Sequence, residues 1–413
     1  MTDSARGVLL RFAPAIYGPN LLFALGEGAV VPLIPVIATK LGADLSLSAF
    51  IATALVVGQL CGNLPAGWFV ARLGERKTMV LAAVVALVGA AGIGLAPNLG
   101  VLAASVFVIG LAAAAFGLAR HAFMVVHVPL AFRARALALL GGTFRFGMFA
   151  GPMCAALLLT LTGATESAAW FFVACLVGCA ALAGLGPDPE LEMQRQESRG
   201  PADAVTATGP IVGPSGVLAT MWRHRGVLAR MGVSASALSA VRQSRQVVLP
   251  LWGVSLGLDP EAIALVIGVT GAIDFALFYA SGQVMDRFGR LMAVLPSMLI
   301  MGLGFLLLAL SHDLPGAGVW YAAMAVLTGV GNGLSTGILM TLGADLSPRG
   351  DPAPFLGSWR LIGDAGGAAA PLLFSALAGV ATIGIATAAV GVISLAGACG
   401  FARWIPRYIT AKR

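Results

Sequence analysis

Four ionisable residues lie inside stretches that are otherwise apolar: Glu27, Arg242, Arg245 and Asp274. At bilayer depth such a side chain costs at least about 2.5–3.5 kcal/mol on insertion scales, so it must face a cavity or a partner. Two kinds of chemistry are open to the set. A desolvated carboxylate can take up and release a proton at working pH, which suits Glu27 and Asp274 to proton coupling. A guanidinium recognises carboxylate or phosphate bidentately, which suits Arg242 and Arg245 to an anion. The two arginines are three residues apart, on neighbouring parts of one helix surface. Arg242 and Asp274 stand at similar distances on either side of the turn near Gly257, so an Arg242–Asp274 pair is expected, leaving Arg245 or Glu27 free. Alternatively, the four charges merely neutralise one another. Asn332, in Gly329-Val-Gly-Asn332-Gly333, adds either a cavity-side hydrogen-bonding group or a helix-packing residue.

The elements that must position these residues are membrane helices. The 413-residue chain is 59% apolar and only 10% charged, against about 25% charge in soluble proteins. Twelve apolar segments, from 14–38 to 382–404, are long enough to cross roughly 30 Å of hydrocarbon. A soluble helical solenoid would show charged faces at helical spacing, and these segments do not. The five cysteines all fall within the spans, so neither a disulfide framework nor a metal site is expected.

The two halves of the chain repeat each other at a constant offset of 215 positions. Gly67-x4-Arg72-x-Gly74 returns as Gly282-x4-Arg287-x-Gly289, Pro35 as Pro250, Arg145 as Arg360, and Gly151 as Gly366. By the same offset Glu27 answers to Arg242. Two copies of one membrane bundle are the architecture of secondary transporters, whose sites lie near mid-membrane between the repeats. The expected organisation is a bundle of six helices over 1–187, a cytoplasmic linker over 188–227 that ends in an interfacial helix around Trp222, and a second bundle over 228–413.

Orientation follows from Lys and Arg. With the N-terminus in the cytoplasm, nineteen of the 25 basic residues lie on the inner side and only Lys40 on the outer. The remaining five are Arg120, Arg145, Arg242, Arg245 and Arg360, within the spans. The basic balance thus reports topology and calls for no nucleic-acid partner. The two arginines ahead of the first apolar run, without a small-residue cleavage site, read as an uncleaved first helix. Three Lys against 22 Arg, with abundant Ala and Gly, points to a GC-rich bacterium and its cytoplasmic (inner) membrane.

The loop Gly67-Trp-Phe-Val-Ala-Arg72-Leu-Gly74-Glu-Arg76-Lys77 and its echo Gly282-Gln-Val-Met-Asp286-Arg287-Phe-Gly289-Arg290 resemble the major facilitator superfamily. The narrower resemblance is to its twelve-helix drug:proton antiporters, over the whole chain. Physically, Gly74 and Gly289 can take positive φ in a tight turn, while Gly67 and Gly282 would permit close helix approach. The resemblance implies that such loops hold the cytoplasmic side shut. The family's acid is present as Asp286 but is Ala71 in the first copy. Arg145, Arg360 and Asp364 are expected to support the same gate, with Asp364 as the partner of Arg360. Gly147-x3-Gly151-Pro152 is similar to the antiporter signature of helix five, where small residues would let the helix press against a neighbour from the other half. A third signature, an arginine in helix four, finds Val106 in its place. Arg120 lies further along, where snorkelling to the interface is as good a reading as function.

The expected fold is therefore all-α: twelve transmembrane helices in two pseudo-symmetric six-helix bundles. The expected activity is proton-coupled efflux of an amphipathic small molecule by alternating access, with Glu27 as the titrating acid. Transport of an organic anion or lysolipid on the cavity arginines is the alternative. No enzyme motif is found, no cofactor is called for, and the chain is expected to act as a monomer with substrate, protons and the bilayer as its partners.

Overall fold

The computed structural model describes residues 13–128, 130–185, 221–348 and 353–409. Residues 186–220, most of the expected linker, lie outside this part. Twelve long helices are described: α1 (Ala15–Lys40), α2 (Leu45–Leu73), α3 (Glu75–Gly94), α4 (Leu99–His127), α5 (Leu130–Thr162), α6 (Glu166–Leu185), α7 (Val233–Ser255), α8 (Pro260–Phe288), α9 (Arg290–Ala309), α10 (Ala317–Leu346), α11 (Ala353–Val380) and α12 (Ile383–Tyr408). Eleven of them contain a stretch long and apolar enough to cross a membrane. The exception is α7, whose Ser-Ala-Val-Arg242-Gln-Ser-Arg245-Gln run breaks the apolar window. A helix too polar for lipid but as long as its neighbours belongs inside protein, with its charges matched there.

The chain forms two compact units. The first comprises Met1–Val30 and Ala54–Pro210, the second Val31–Thr53 and Ile211–Arg413. In the first, α1 packs on α5 and α6, and α3 on α4 and α6. The second repeats those pairings at the sequence offset: α7 packs on α11 and α12, and α9 on α10 and α12. The segment between the two parts of the first unit, Val31–Thr53, clusters with the second. Its separation begins at Val31–Leu33, where Pro32 tightens α1 into a 3₁₀ turn. Pro cannot donate the backbone bond that would continue the α-helix. Beyond the α1–α2 turn, Ser46 and Ser375 of α11 each donate to the other's backbone carbonyl at 3.0 Å.

Three helix starts on the expected outer side, those of α2, α4 and α12, are capped by side chains. Asp44 accepts from Leu47 N–H (2.7 Å), Asn98 from Val101 N–H (2.9 Å) and Thr382 from Ile385 N–H (3.2 Å). On the opposite side, Gly74 and Gly289 hold nearly the same conformation, φ 80°, ψ 168° and φ 88°, ψ 169°. The duplicated glycines thus make one and the same turn, in the left-handed half of φ that a side chain would strain. All five cysteines are free thiols. Around Trp222 the chain is helical in short pieces, residues 221–223 and Arg225–Val227, before a π-helical turn at Leu228–Gly232 leads into α7.

Candidate functional site

In the first unit the polar interior is built on one face of α1. Asn20 and Glu27 are seven residues apart, two helical turns, and therefore point the same way. Asn20 is fully buried and Glu27 is 5% exposed. The Asn20 amide donates to Leu140 O (2.9 Å) and Thr143 Oγ1 (2.7 Å), and its carbonyl oxygen accepts from Nη1 of Arg120. Arg120 also lies over the rings of Phe144 (4.5 Å) and Phe116 (6.0 Å). The Phe116 ring stacks on Phe23, which meets Phe172 edge-on. These aromatics keep the guanidinium in a dry setting, where its charge acts on Glu27 through space. Among the described residues no hydrogen bond or contact ion pair reaches the Glu27 carboxylate. It is a buried acid balanced by a nearby, fixed cation.

Of the two readings open for Arg120, snorkelling or a role inside the bundle, this arrangement favours the second. Helix spacing alone puts Arg120 near the inner end of α4, but its partner Asn20 lies equally far along α1. The glycines beside Glu27 serve close packing. A Cβ at Gly26 would fall 2.2 Å from the Phe172 ring, and one at Gly28 would lie 3.1 Å from the Met148 backbone. They let α6 and α5 close on α1.

The second cluster is in the second unit. The Asp274 carboxylate on α8 accepts from the Asn332 amide of α10 at 2.6 Å and lies 3.7 Å from Nη2 of Arg245 on α7. Arg245, one turn beyond the expected partner, thus forms an ion pair with the acid. Arg242 donates to both the hydroxyl (2.6 Å) and the carbonyl (2.7 Å) of Ser335. The reason lies in α10, one of the twelve apolar segments, which is broken between Leu334 and Ile338. Gly337 takes φ +78° there. The break frees carbonyls that would otherwise continue the ladder. Arg242 takes that of Ser335, and Ser281 of α8 donates to Leu334 O and Thr336 O, both at 2.9 Å. Arg242 therefore holds a helix end, and Arg245 with Asn332 fixes the acid. The neighbouring glycines of α10 serve packing: a Cβ at Gly333 would lie 2.8 Å from Leu277 of α8.

Because Arg245 and Asp274 are 9% and 16% exposed, each is costly without the other. In the detergent-solubilised protein the Arg245→Gln/Asp274→Asn double variant is expected to lose less stability than the sum of the two single-variant losses. The coupling should be about 1–2 kcal/mol. A double-mutant cycle on thermal unfolding measures it, and additive effects would show that the two charges act separately.

The loops show which of their residues engage. Arg76 donates from Nε to Ala183 O (2.7 Å) and from Nη2 to Gly184 O (2.9 Å), closing the end of α6. Its counterpart side reads differently: Nε of Arg290 donates to Asp345 at 2.9 Å, Nη1 donates to Met285 O, and Asp286 stands 3.5 Å away with its side chain 84% exposed. Asp345 on the second part of α10, not singled out in the sequence, is thus the closer acid. Arg72 lies over Trp68 and Arg287 over Phe288. Arg360 and Asp364 pair as expected, at 3.6 Å on the surface of α11, and Arg145 lies in α5. Gly67 and Gly282 do not serve close approach: among the described residues an added Cβ at either meets nothing within 4 Å.

Gly147 and Gly151 do mark close packing, but their nearest contacts are with α1 of the same unit, where a helix of the other half was expected. A Cβ at Gly147 would fall 2.7 Å from Ala24, and one at Gly151 would fall 2.4 Å from Leu25 O and 2.7 Å from Ala29 N. Since Glu27 lies between those contacts, the motif with Pro152 sets the position of the α1 acid. Its repeat does the same for α7, where Gly366 packs on Ser236.

Twelve helices in two matching sets, each enclosing a charge cluster on its first helix, define a multi-pass membrane transport protein. The family model described as Major Facilitator Superfamily matches residues 20–371 and 247–410. The chain belongs to that superfamily. A search of curated proteins returns no match. Solved structures similar to it include a POT family transporter in complex with 5-aminolevulinic acid, at 13% identity and TM-score 0.74, covering 98% of this chain and 96% of that one. A D-xylose-proton symporter follows at 14% identity and TM-score 0.70, covering 95% and 96%. The xylose transporter XylE from E. coli, in a partially occluded inward open conformation, gives 15% and 0.69, covering 96% and 98%. At these identities the likeness is one of fold.

Proposed function

We propose that this secondary transporter exports an amphipathic small molecule in exchange for protons, by alternating access. The observation that carries the reading is Glu27, a buried carboxylate with a through-space cation and no hydrogen bond among the described residues. Such a group can be charged in one access state and neutral in the other at modest cost, which is the requirement for a coupling acid. Asp274, tied to Arg245 and Asn332, is the second candidate for proton binding. Export rather than import rests on the resemblance of Gly147-x3-Gly151-Pro152 to the antiporter signature. The loop residues Arg72, Arg76, Asp286, Arg287 and Arg290, with Arg145, Arg360 and Asp364, act in closing the cytoplasmic side. We place the protein as a monomer in a bacterial cytoplasmic membrane, with both termini inside.

A second reading has its own support. Arg242 and Arg245 stand one turn apart on α7, and guanidiniums are the groups that recognise a carboxylate or phosphate substrate. Proteoliposomes separate the two. With an imposed pH gradient, export predicts concentrative movement of lipophilic cations or neutral amphiphiles against the proton flow. Gradient-independent exchange of organic anions alone would overturn it in favour of the second reading.

A further inference from the structure

Where α12 ends and the chain enters α7, three arginines surround one indole. The guanidinium carbons of Arg230, Arg403 and Arg407 lie 4.9, 5.2 and 5.1 Å from the centroid of Trp404. Arg230 also donates from Nη1 to the Tyr408 hydroxyl at 2.9 Å. All three arginines are exposed, and among the described residues none has a carboxylate partner. No two of them can be much more than about 10 Å apart, one Debye length at 0.1 M ionic strength, so part of their repulsion survives screening. The indole face offsets part of that repulsion. Among the described residues no acid offsets the rest.

The register explains why the cluster is held together. Arg403 and Arg407 are four residues apart and Trp404 lies between them in sequence, so α12 presents all three on adjoining surface. Phe401 and Ile405, buried, fix the helix from behind. Arg230 arrives from the other side on the π-helical turn Leu228–Gly232, and the Ser234 hydroxyl donates to its carbonyl. A tryptophan and a tyrosine at a helix end mark the membrane–water boundary. By the count of Lys and Arg, this boundary is the cytoplasmic one.

We propose that this cluster is a binding site for an anionic phospholipid of the cytoplasmic leaflet. The phosphate would be gripped by the three guanidiniums, with Trp404 and Tyr408 at the level of the glycerol backbone. The occupant bridges the end of α12 to the entry of α7. A zwitterionic lipid offers its phosphate together with a compensating cation, so it gains less from the arginines. Each basic residue near an anionic surface is worth about a five-fold gain in affinity, so the three together give roughly a hundred-fold preference.

The test uses the full-length protein in detergent, titrated with phosphatidylglycerol, phosphatidylcholine or inorganic phosphate. Thermal unfolding and native mass spectrometry of retained lipid are the two readouts. Phosphatidylglycerol is expected to raise the unfolding midpoint and to be retained, phosphatidylcholine much less, and millimolar phosphate not at all. In the Arg230→Gln/Arg403→Gln/Arg407→Gln variant the distinction between the two lipids should vanish; with lysine at the three positions most of it should return. An undiminished preference in the glutamine variant overturns the site. So does an equal response to inorganic phosphate, which would make it a free-anion site. If the glutamine variant does not fold, Arg407→Gln alone should still lower phosphatidylglycerol retention several-fold, and unchanged retention counts against the proposal.

Discussion

Glu27→Gln is expected to abolish transport driven by a pH gradient while sparing much of the substrate exchange across the bilayer. Glutamine keeps the shape of the side chain and its fit between α5 and α6, but it cannot titrate. Because the Glu27 carboxylate makes no hydrogen bond among the described residues, the substitution breaks none. The closely packed glycines on either side leave the backbone where it is. A loss of driven transport with retained exchange would therefore report proton coupling and not misfolding. Gradient-driven accumulation at the normal level by Glu27→Gln in proteoliposomes would remove this residue from coupling and favour an anion carrier that runs on the arginines of α7.

Much of this arrangement is legible in the sequence because the repeat says it twice. The offset that aligns Gly74 with Gly289 and Gly151 with Gly366 predicts matched turns and matched helix contacts, and the backbone angles and glycine contacts agree. Charged residues inside apolar runs likewise announce themselves through their insertion cost. What is not legible is which neighbour each one meets. Arg242 and Arg245 are a single turn apart, and the choice of partner for Asp274 depends on the break in α10, which carries no proline to signal it. Ser335-Thr336-Gly337 was the available cue: two small polar residues before a glycine, in the middle of an apolar helix. The sequence leaves Arg120 open between snorkelling and function for a related reason. Its importance comes from Asn20, a neutral residue, and neutral side chains raise no insertion alarm. The face shared by Asn20 and Glu27, two turns apart on α1, would have shown it. Asp345 escaped because it lies outside the repeated loop, though it is the acid nearest to Arg290.

The same cluster yields the largest expected effect on stability. Arg120 is fixed by Asn20 and by the rings of Phe144 and Phe116, and it is the cation that acts on Glu27. Removing it leaves the buried Asn20 carbonyl oxygen without its donor, which costs about 1–3 kcal/mol, and takes the counter-charge from the Glu27 carboxylate. Arg120→Gln should therefore unfold at a clearly lower temperature than the parent protein. Adding Glu27→Gln to it should recover part of the loss, since the double variant buries neither charge. Arg120→Lys tests the geometry: lysine keeps the charge but lacks the planar fork that meets the Asn20 carbonyl and stacks on Phe144, so it should fall between the two. The thermal unfolding of the four proteins in one detergent decides the matter. If the Arg120→Gln and Glu27→Gln effects simply add, Arg120 is held for packing alone, and the acid of α1 must find its counter-charge elsewhere during transport.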